Sequence, residues 1–150
     1  MEQFTVKQID SLNELNITDL VEESKKEGFR FLEWLVRDYI EGKNAFDKPG
    51  ESLWGIIDPG GQCVAIGGLN QDPFANDPSI GRIRRFYVAH DYRRIGIGTL
   101  LLKSIVKEAH KHFHTLVLHT DTVRGDHFYT SYGFVQETRY PHSIHWLRLK

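Results

Sequence analysis

From Arg82 to Gly98 the chain reads R-I-R-R-F-Y-V-A-H-D-Y-R-R-I-G-I-G. An apolar strand pattern ends near Val88, and a short arginine-bearing loop follows. Gly96 and Gly98 then open a run in which Leu102, Ile105, Val106, Ala109 and Phe113 fall on one helical face, with Lys103, Lys107 and Lys111 on the other. A strand that passes straight into a glycine-led helix makes an anion cradle. The first N–H groups of a helix have no internal partner, the dipole makes that end partly positive, and glycine lets a phosphate come close to the main chain. Arg93 and Arg94 add full charges whose geometry suits phosphate. The segment predicts a pyrophosphate site. R-x-x-G-x-G is a short pattern, and its weight comes from its place between strand and helix.

Two common nucleotide sites are excluded by detail. The sequence has no G-x-x-x-x-G-K-[ST], and it has no G-x-G-x-x-G followed by an acid about 20 residues on. Nucleic acid is not an expected partner either. The net charge is −1, whereas chains that coat nucleic acid are strongly basic. The 150 residues suit a single domain, 1–150, with no linker or repeat. Cys63 is the only cysteine, which fits a reducing compartment. No apolar run approaches the roughly 20 residues of a membrane span, and Met1 to Asp10 lacks the apolar core of a signal peptide. A cytoplasmic protein with no membrane partner is expected.

The remaining pattern fills in the architecture. Phe4 and Val6 mark a first strand. Thr18 is read as the N-cap of a helix that stops at Gly28, and a second helix runs from about Phe29 to Glu41, closed by Gly42. Leu53–Asp58 and Cys63–Leu69 read as a hairpin around Pro59-Gly60-Gly61. Asn70–Ser79 reads as a loop and Ile80–Val88 as a strand. Beyond the long helix come a strand at Leu116–Thr120, a short helix at Val123–Tyr132 closed by Gly133, and strands at Phe134–Thr138 and Ile144–Leu149. The fold class is α/β, or α+β with a mixed sheet, and about four flanking helices.

R-R-I-G-I-G, Arg93 to Gly98, resembles the pyrophosphate signature [Q/R]-x-x-G-x-[G/A] of the GNAT N-acetyltransferase superfamily. F-Y-T-S-Y-G-F, Phe128 to Phe134, resembles that family's F-Y-x-x-x-G-F. The resemblance covers the C-terminal two-thirds; the first 50 residues match only in pattern. It implies acetyl-CoA as co-substrate, no metal, and direct transfer to an amine acceptor. By the same resemblance, main-chain groups of Phe86, Tyr87 and Val88 bind the pantetheine arm. Those of Arg93, Arg94, Ile95, Gly96, Ile97, Gly98 and Thr99 hold the pyrophosphate. Tyr129 matches the tyrosine that protonates the departing sulfur. Many family members carry Asn and Ala at the positions of Thr122 and Gly125. Gly125 is read as a steric substitute for alanine, and Thr122 as a helix cap.

Some relatives place a glutamate base on the strand that here reads Ile80–Arg85 and contains none. His119 and Asp121 are the nearest ionisable residues, and core or loop bonding is the plainer reading of each. His110, His112 and His114 are read as a polar helix end rather than a metal site. The arginines at 82, 84, 85, 93 and 94 are assigned together to one anionic cofactor; Asp72 and Asp77 are candidates for attracting a cationic acceptor, with solvated loop acids the plainer reading. Trp34, Tyr39, Trp54, Tyr140 and Trp146 are candidate acceptor-pocket residues, although core or sheet packing is the plainer reading of each, and the same holds for His142 and His145. Cys63 lies in an apolar strand, which argues against an acyl-cysteine intermediate. The final strand offers an edge on which a homodimer could form. A non-catalytic acyl-CoA sensor with the same cradle is the alternative function.

Overall fold

Apolar runs in the middle of the chain bury on both faces and so form a sheet rather than surface strands. The computed structural model describes residues 3–150. Its strands are β1 (Thr5–Gln8), β2 (Ser52–Ile57), β3 (Cys63–Gln71), β4 (Ile80–Val88), β5 (Thr115–Leu118), β6 (Val135–Gln136) and β7 (His145–Arg148). The helices are α1 (Thr18–Lys26), α2 (Phe31–Ile40), α3 (Ile97–Ala109) and α4 (Val123–Tyr132). The seven strands form one sheet in the order β1-β2-β3-β4-β5-β7-β6. Only β4 and β5 run parallel, joined by the α3 crossover. The mixed sheet and four helices are those expected from the sequence.

The core lies on both faces of the sheet. Leu101, Leu102, Ile105, Ala109 and Phe113 of the α3 segment pack on one side with Leu116 and Tyr129. Leu20 of α1, and Leu32 and Leu35 of α2, pack on the other with Phe46 and Leu53. Phe113 lies against the β4 main chain because residue 81 is glycine; a Cβ there would stand 2.7 Å from its ring.

Several boundaries differ from expectation. Thr18 is the first helical residue rather than the cap, and Asn16 Oδ1 accepts its N–H at 3.1 Å. Asn70 and Gln71 extend β3 instead of opening the loop, and Asn70 is buried, bonded to the Asn44 amide at 2.9 Å. The last strand is not an edge: β7 lies between β5 and β6, so His145 and Trp146 are paired on both sides. Among the described residues no helix is long and apolar enough to cross a membrane.

The buried ion pair between Arg82 and Asp72 ties the loops to the sheet. Its atoms stand 2.7 Å apart, and the guanidinium also donates to the carbonyls of His142 (2.8 Å) and Pro141 (2.9 Å). Asp72 therefore holds a buried arginine and does not face an acceptor, and Arg82 is itself buried, its three nitrogens each bonded within the protein. Asp72→Ala strands that charge, and should lower the unfolding free energy in urea by ~3–5 kcal/mol. Pairing it with Arg82→Met should recover part of the loss.

Candidate functional site

β4 and β5 pair over three residues only: Ile80 with Thr115, Gly81 with Leu116 and Arg82 with Val117. Beyond Arg82, β4 continues to Val88 with no strand on that side. In this unpaired part β4 carries a bulge against β3. Ile66 faces Tyr87 and Gly68 faces Arg84, so Arg85 and Phe86 together oppose the single residue Gly67. Arg85 takes the left-handed conformation (φ 58°) that such a bulge demands. Gly67 leaves room for the Phe86 ring; a Cβ there would lie 2.8 Å from it. Phe86 meets Phe128 (5.6 Å between ring centres) and Tyr129 (5.9 Å), and this aromatic wedge fills the base of the gap. A cleft of about 1400 Å³ opens above it.

Ala89 donates its N–H back to Val64 of β3 (2.9 Å). By the alternation of an antiparallel ladder, Tyr87 also pairs toward β3, whereas the main chain of Val88 and Phe86 faces the gap. The backbone contribution expected from residues 86–88 thus narrows to Phe86 and Val88. One of those groups is already used, since Arg93 Nε donates to the Val88 carbonyl at 2.9 Å.

The loop after β4 leads the chain into α3 through two left-handed residues, Arg94 (φ 64°) and Gly96 (φ 91°). No side chain caps α3, and its first return bond is Leu100 N–H to the Gly96 carbonyl at 3.0 Å. The N–H groups of Ile97, Gly98 and Thr99 are left to point out of the helix start. Gly98 packs closely, because a Cβ there would meet Phe128 at 3.3 Å and Val88 at 3.4 Å. The glycine of the first motif thus seats the aromatic of the second. Arg94, Lys103 and Arg124 line this end of the cleft. The side chains of Ile95 and Ile97 are not part of its lining, Ile95 being exposed and Ile97 buried in the core, so what they can offer there is main chain. An open strand edge running into a positive helix start suits an extended ligand with amides along its length and an anion at its end.

Arg93 departs from expectation. Its guanidinium is committed to Glu27, at the end of α1, by two contacts of 2.9 and 2.5 Å, and it lies over the Tyr87 ring at 5.2 Å. Tyr87 also donates its hydroxyl to Glu27. The arginine binds the loop to α1 rather than offering its side chain to a phosphate. Hydrogen bonding from Arg93 holds the Glu27 carboxyl down at about 2. Burial and the carboxylate beside it push the Tyr87 hydroxyl up.

Tyr129 is buried against Phe134, His145 and Phe86, and lines the cleft. Burial raises its pKa, so it stays protonated. His119 Nε2 meets Asp121 Oδ1 at 2.7 Å; both stand exposed in the cleft, not in the core. Thr122 caps α4 by accepting the Gly125 N–H at 2.9 Å. Gly125 is no stand-in for alanine, because a Cβ there would collide with the Thr120 hydroxyl. Of the five aromatic residues expected near an acceptor only Trp34 lines the cleft, joined by Phe74 and His142. Tyr140 packs on Trp146, and Trp54 bonds Ser52. His145 is wholly buried, 3.6 Å from Asp126, and burial lowers its pKa. His112 pairs with Glu108 at 2.9 Å, and among the described residues no three His, Cys, Asp or Glu side chains converge as a metal site. Cys63 is buried, with its thiol pushed up to about 11. Sequence reasoning missed Glu27 altogether, because no local pattern links it to a residue 66 positions later.

The model of the acetyltransferase (GNAT) family matches residues 9–134. No curated protein matches the chain by sequence. Among solved structures, a candidate acetyltransferase from Exiguobacterium sp. 255-15 is 29% identical with a TM-score of 0.86, over 97% of this chain and 93% of its own. An acetyltransferase from Streptococcus agalactiae 2603 shares the fold at 18% identity and a TM-score of 0.75, over 97% of each chain. A GNAT family N-acetyltransferase from Escherichia coli, solved in complex with CoA, does so at 14% identity and a TM-score of 0.71, over 99% of this chain and 82% of that one.

Glu27→Gln removes the charge that anchors Arg93, and should cost ~2 kcal/mol at neutral pH. The carboxyl is held near 2 instead of 4.5, so its contribution is full above pH 4.5 and fades as pH falls toward 2. Urea unfolding of both proteins at several pH values should show the gap closing across that window.

Proposed function

Because the chain belongs to the GNAT acetyltransferase family, we propose that it moves an acetyl group from acetyl-CoA to a primary amine of a small molecule or peptide, with both substrates bound together. The parting of β4 and β5 carries this reading. It leaves a free strand edge that ends at an uncapped, glycine-led helix start. In this reading the main chain of Phe86 and Val88 binds the amides of the pantetheine arm. The N–H groups from Ile97 to Thr99 hold the pyrophosphate, helped by Arg94, Lys103 and Arg124. Arg93 supports the cradle by fixing the loop.

The thioester supplies an activated acyl carbon. The Phe86 N–H is placed to polarise its carbonyl oxygen. The amine lone pair forms the new C–N bond, and the C–S bond breaks with its electron pair leaving on sulfur. Tyr129, which burial keeps protonated, gives that sulfur a proton. His119, oriented by Asp121, takes the proton lost by the amine, directly or through water. The cysteine thiol, buried and raised to about 11, takes no part. A sensor that bound acyl-CoA without transferring it would have no use for the His119–Asp121 pair, which favours the enzyme.

Calorimetric titration with acetyl-CoA should give micromolar binding, and Gly96→Val should abolish it, since valine resists φ 91°. Tyr129→Phe should lower turnover ~100-fold or more with acetyl-CoA affinity nearly unchanged. Failure of the wild type to bind acetyl-CoA would end this reading. Unchanged turnover in Tyr129→Phe would remove the tyrosine from it.

A further inference from the structure

Cations line the cleft at both ends, and phosphate explains only one. Arg94, Lys103 and Arg124 surround the α3 start. Arg84 and Arg85 lie on β4 before Phe86. Arg84 is four strand residues, about 13 Å, from Val88, on the side away from the cradle.

Arg84 is half-buried, lines the cleft, and has no hydrogen-bond or ion-pair partner among the described residues. The nearby acids are taken: Asp72 holds Arg82, Asp38 stands 3.7 Å from Arg85, and Glu51 accepts the N–H groups of Lys48 at 3.2 Å and Gln71 at 2.9 Å. Burial pulls the Arg84 pKa down, as for a cation that lacks its counter-ion. Aromatic faces from three separate segments line the same cleft. Trp34 comes from α2, Phe74 from the β3–β4 loop and His142 from the β6–β7 loop. Phe74 stacks on His142 at 4.3 Å, and Arg85 lies over Trp34 at 5.8 Å. Trp34 and Phe74 are 39% and 45% exposed, so the chain leaves them uncovered.

We propose that Arg84, with Arg85 beside it, binds a carboxylate on the acceptor, so that the amines acetylated here are amino-acid-like: amine and carboxylate on one compact frame with an apolar or aromatic side chain. This rests on the acetyl-transfer reading above, which puts the reacting carbon at Phe86. The bulge brings Arg84 and Phe86 to within one ladder step, roughly 3 to 4 Å along the strand, well inside the reach of the Arg84 side chain. The acceptor's carboxylate then lies within a few bonds of its amine. A guanidinium takes a carboxylate through two parallel hydrogen bonds, which fixes direction as well as charge. A polyamine would instead meet two guanidinium groups with no free acid beside them.

The test follows CoA thiol release with matched acceptors: phenylalanine and leucine, their amides, phenethylamine and, as a polycation, spermidine. The free acids should exceed the amides and phenethylamine roughly tenfold or more in kcat/KM, mainly through KM. Arg84→Gln should erase that preference and Arg84→Lys should keep part of it, with acetyl-CoA titration of each variant as the check on folding. Equal or faster acetylation of the amides, phenethylamine or spermidine overturns the proposal, as does a preference that survives Arg84→Gln. So does a protein that binds acetyl-CoA yet distinguishes the free acids neither in turnover nor in binding to its CoA complex. A protein that binds no acetyl-CoA overturns the proposed function as well, which separates the two failures.

Discussion

The sheet holds together everywhere except where β4 leaves β5, and the site is built on that exception. Pairing ends after three residues, where β5 stops, and β4 runs on through a bulge against β3 with its other edge unpaired. A left-handed arginine costs about 1–2 kcal/mol in backbone strain. Arg85 is held in that state by neighbours on α2, the Asp38 carboxylate and the Trp34 ring. The Phe86, Phe128 and Tyr129 rings then keep the gap from closing. Main-chain groups that a regular sheet would have used up are left facing the cleft, where a ligand with amides of its own can pair with them.

Arginine does several different jobs within a dozen residues, and its partners decide which. Arg82 is buried and bonded to Asp72 and two carbonyls, and it fastens the β3–β4 and β6–β7 loops. Arg93 is bonded to Glu27 and the Val88 carbonyl, and it fastens the cradle loop to α1. Arg84 has no such partner, and Arg94 is exposed at the helix start. The charge available to a ligand is what the protein has not already spent, so counting arginines in the motif overstates it. The same holds for acids: Asp72 looks free in its loop, but it is committed to the core.

The site joins distant pieces of chain through close packing. Gly98, from the first motif, takes the ring of Phe128, from the second, at near contact distance. The spacing of these motifs along the chain thus reflects a three-dimensional fit. The helix carrying Tyr129 and the helix carrying the cradle pack this closely only while that glycine stays small.

Element order, the glycine stops at Gly28, Gly42 and Gly133, the bounds of β4 and α4, and the glycine-led start of α3 could all be read along the chain. They depend on periodicity and backbone preference, which act between residues a few positions apart. So could the two motifs, and with them the family. The pairing of Glu27 with Arg93, the capture of the β6–β7 loop by Arg82, the unpaired state of Arg84 and the seating of β7 inside the sheet could not. Each is a contact across some 30 to 66 residues, chosen by which side chains the packed layers bring within about 3 Å, and no local pattern in the chain carries that information.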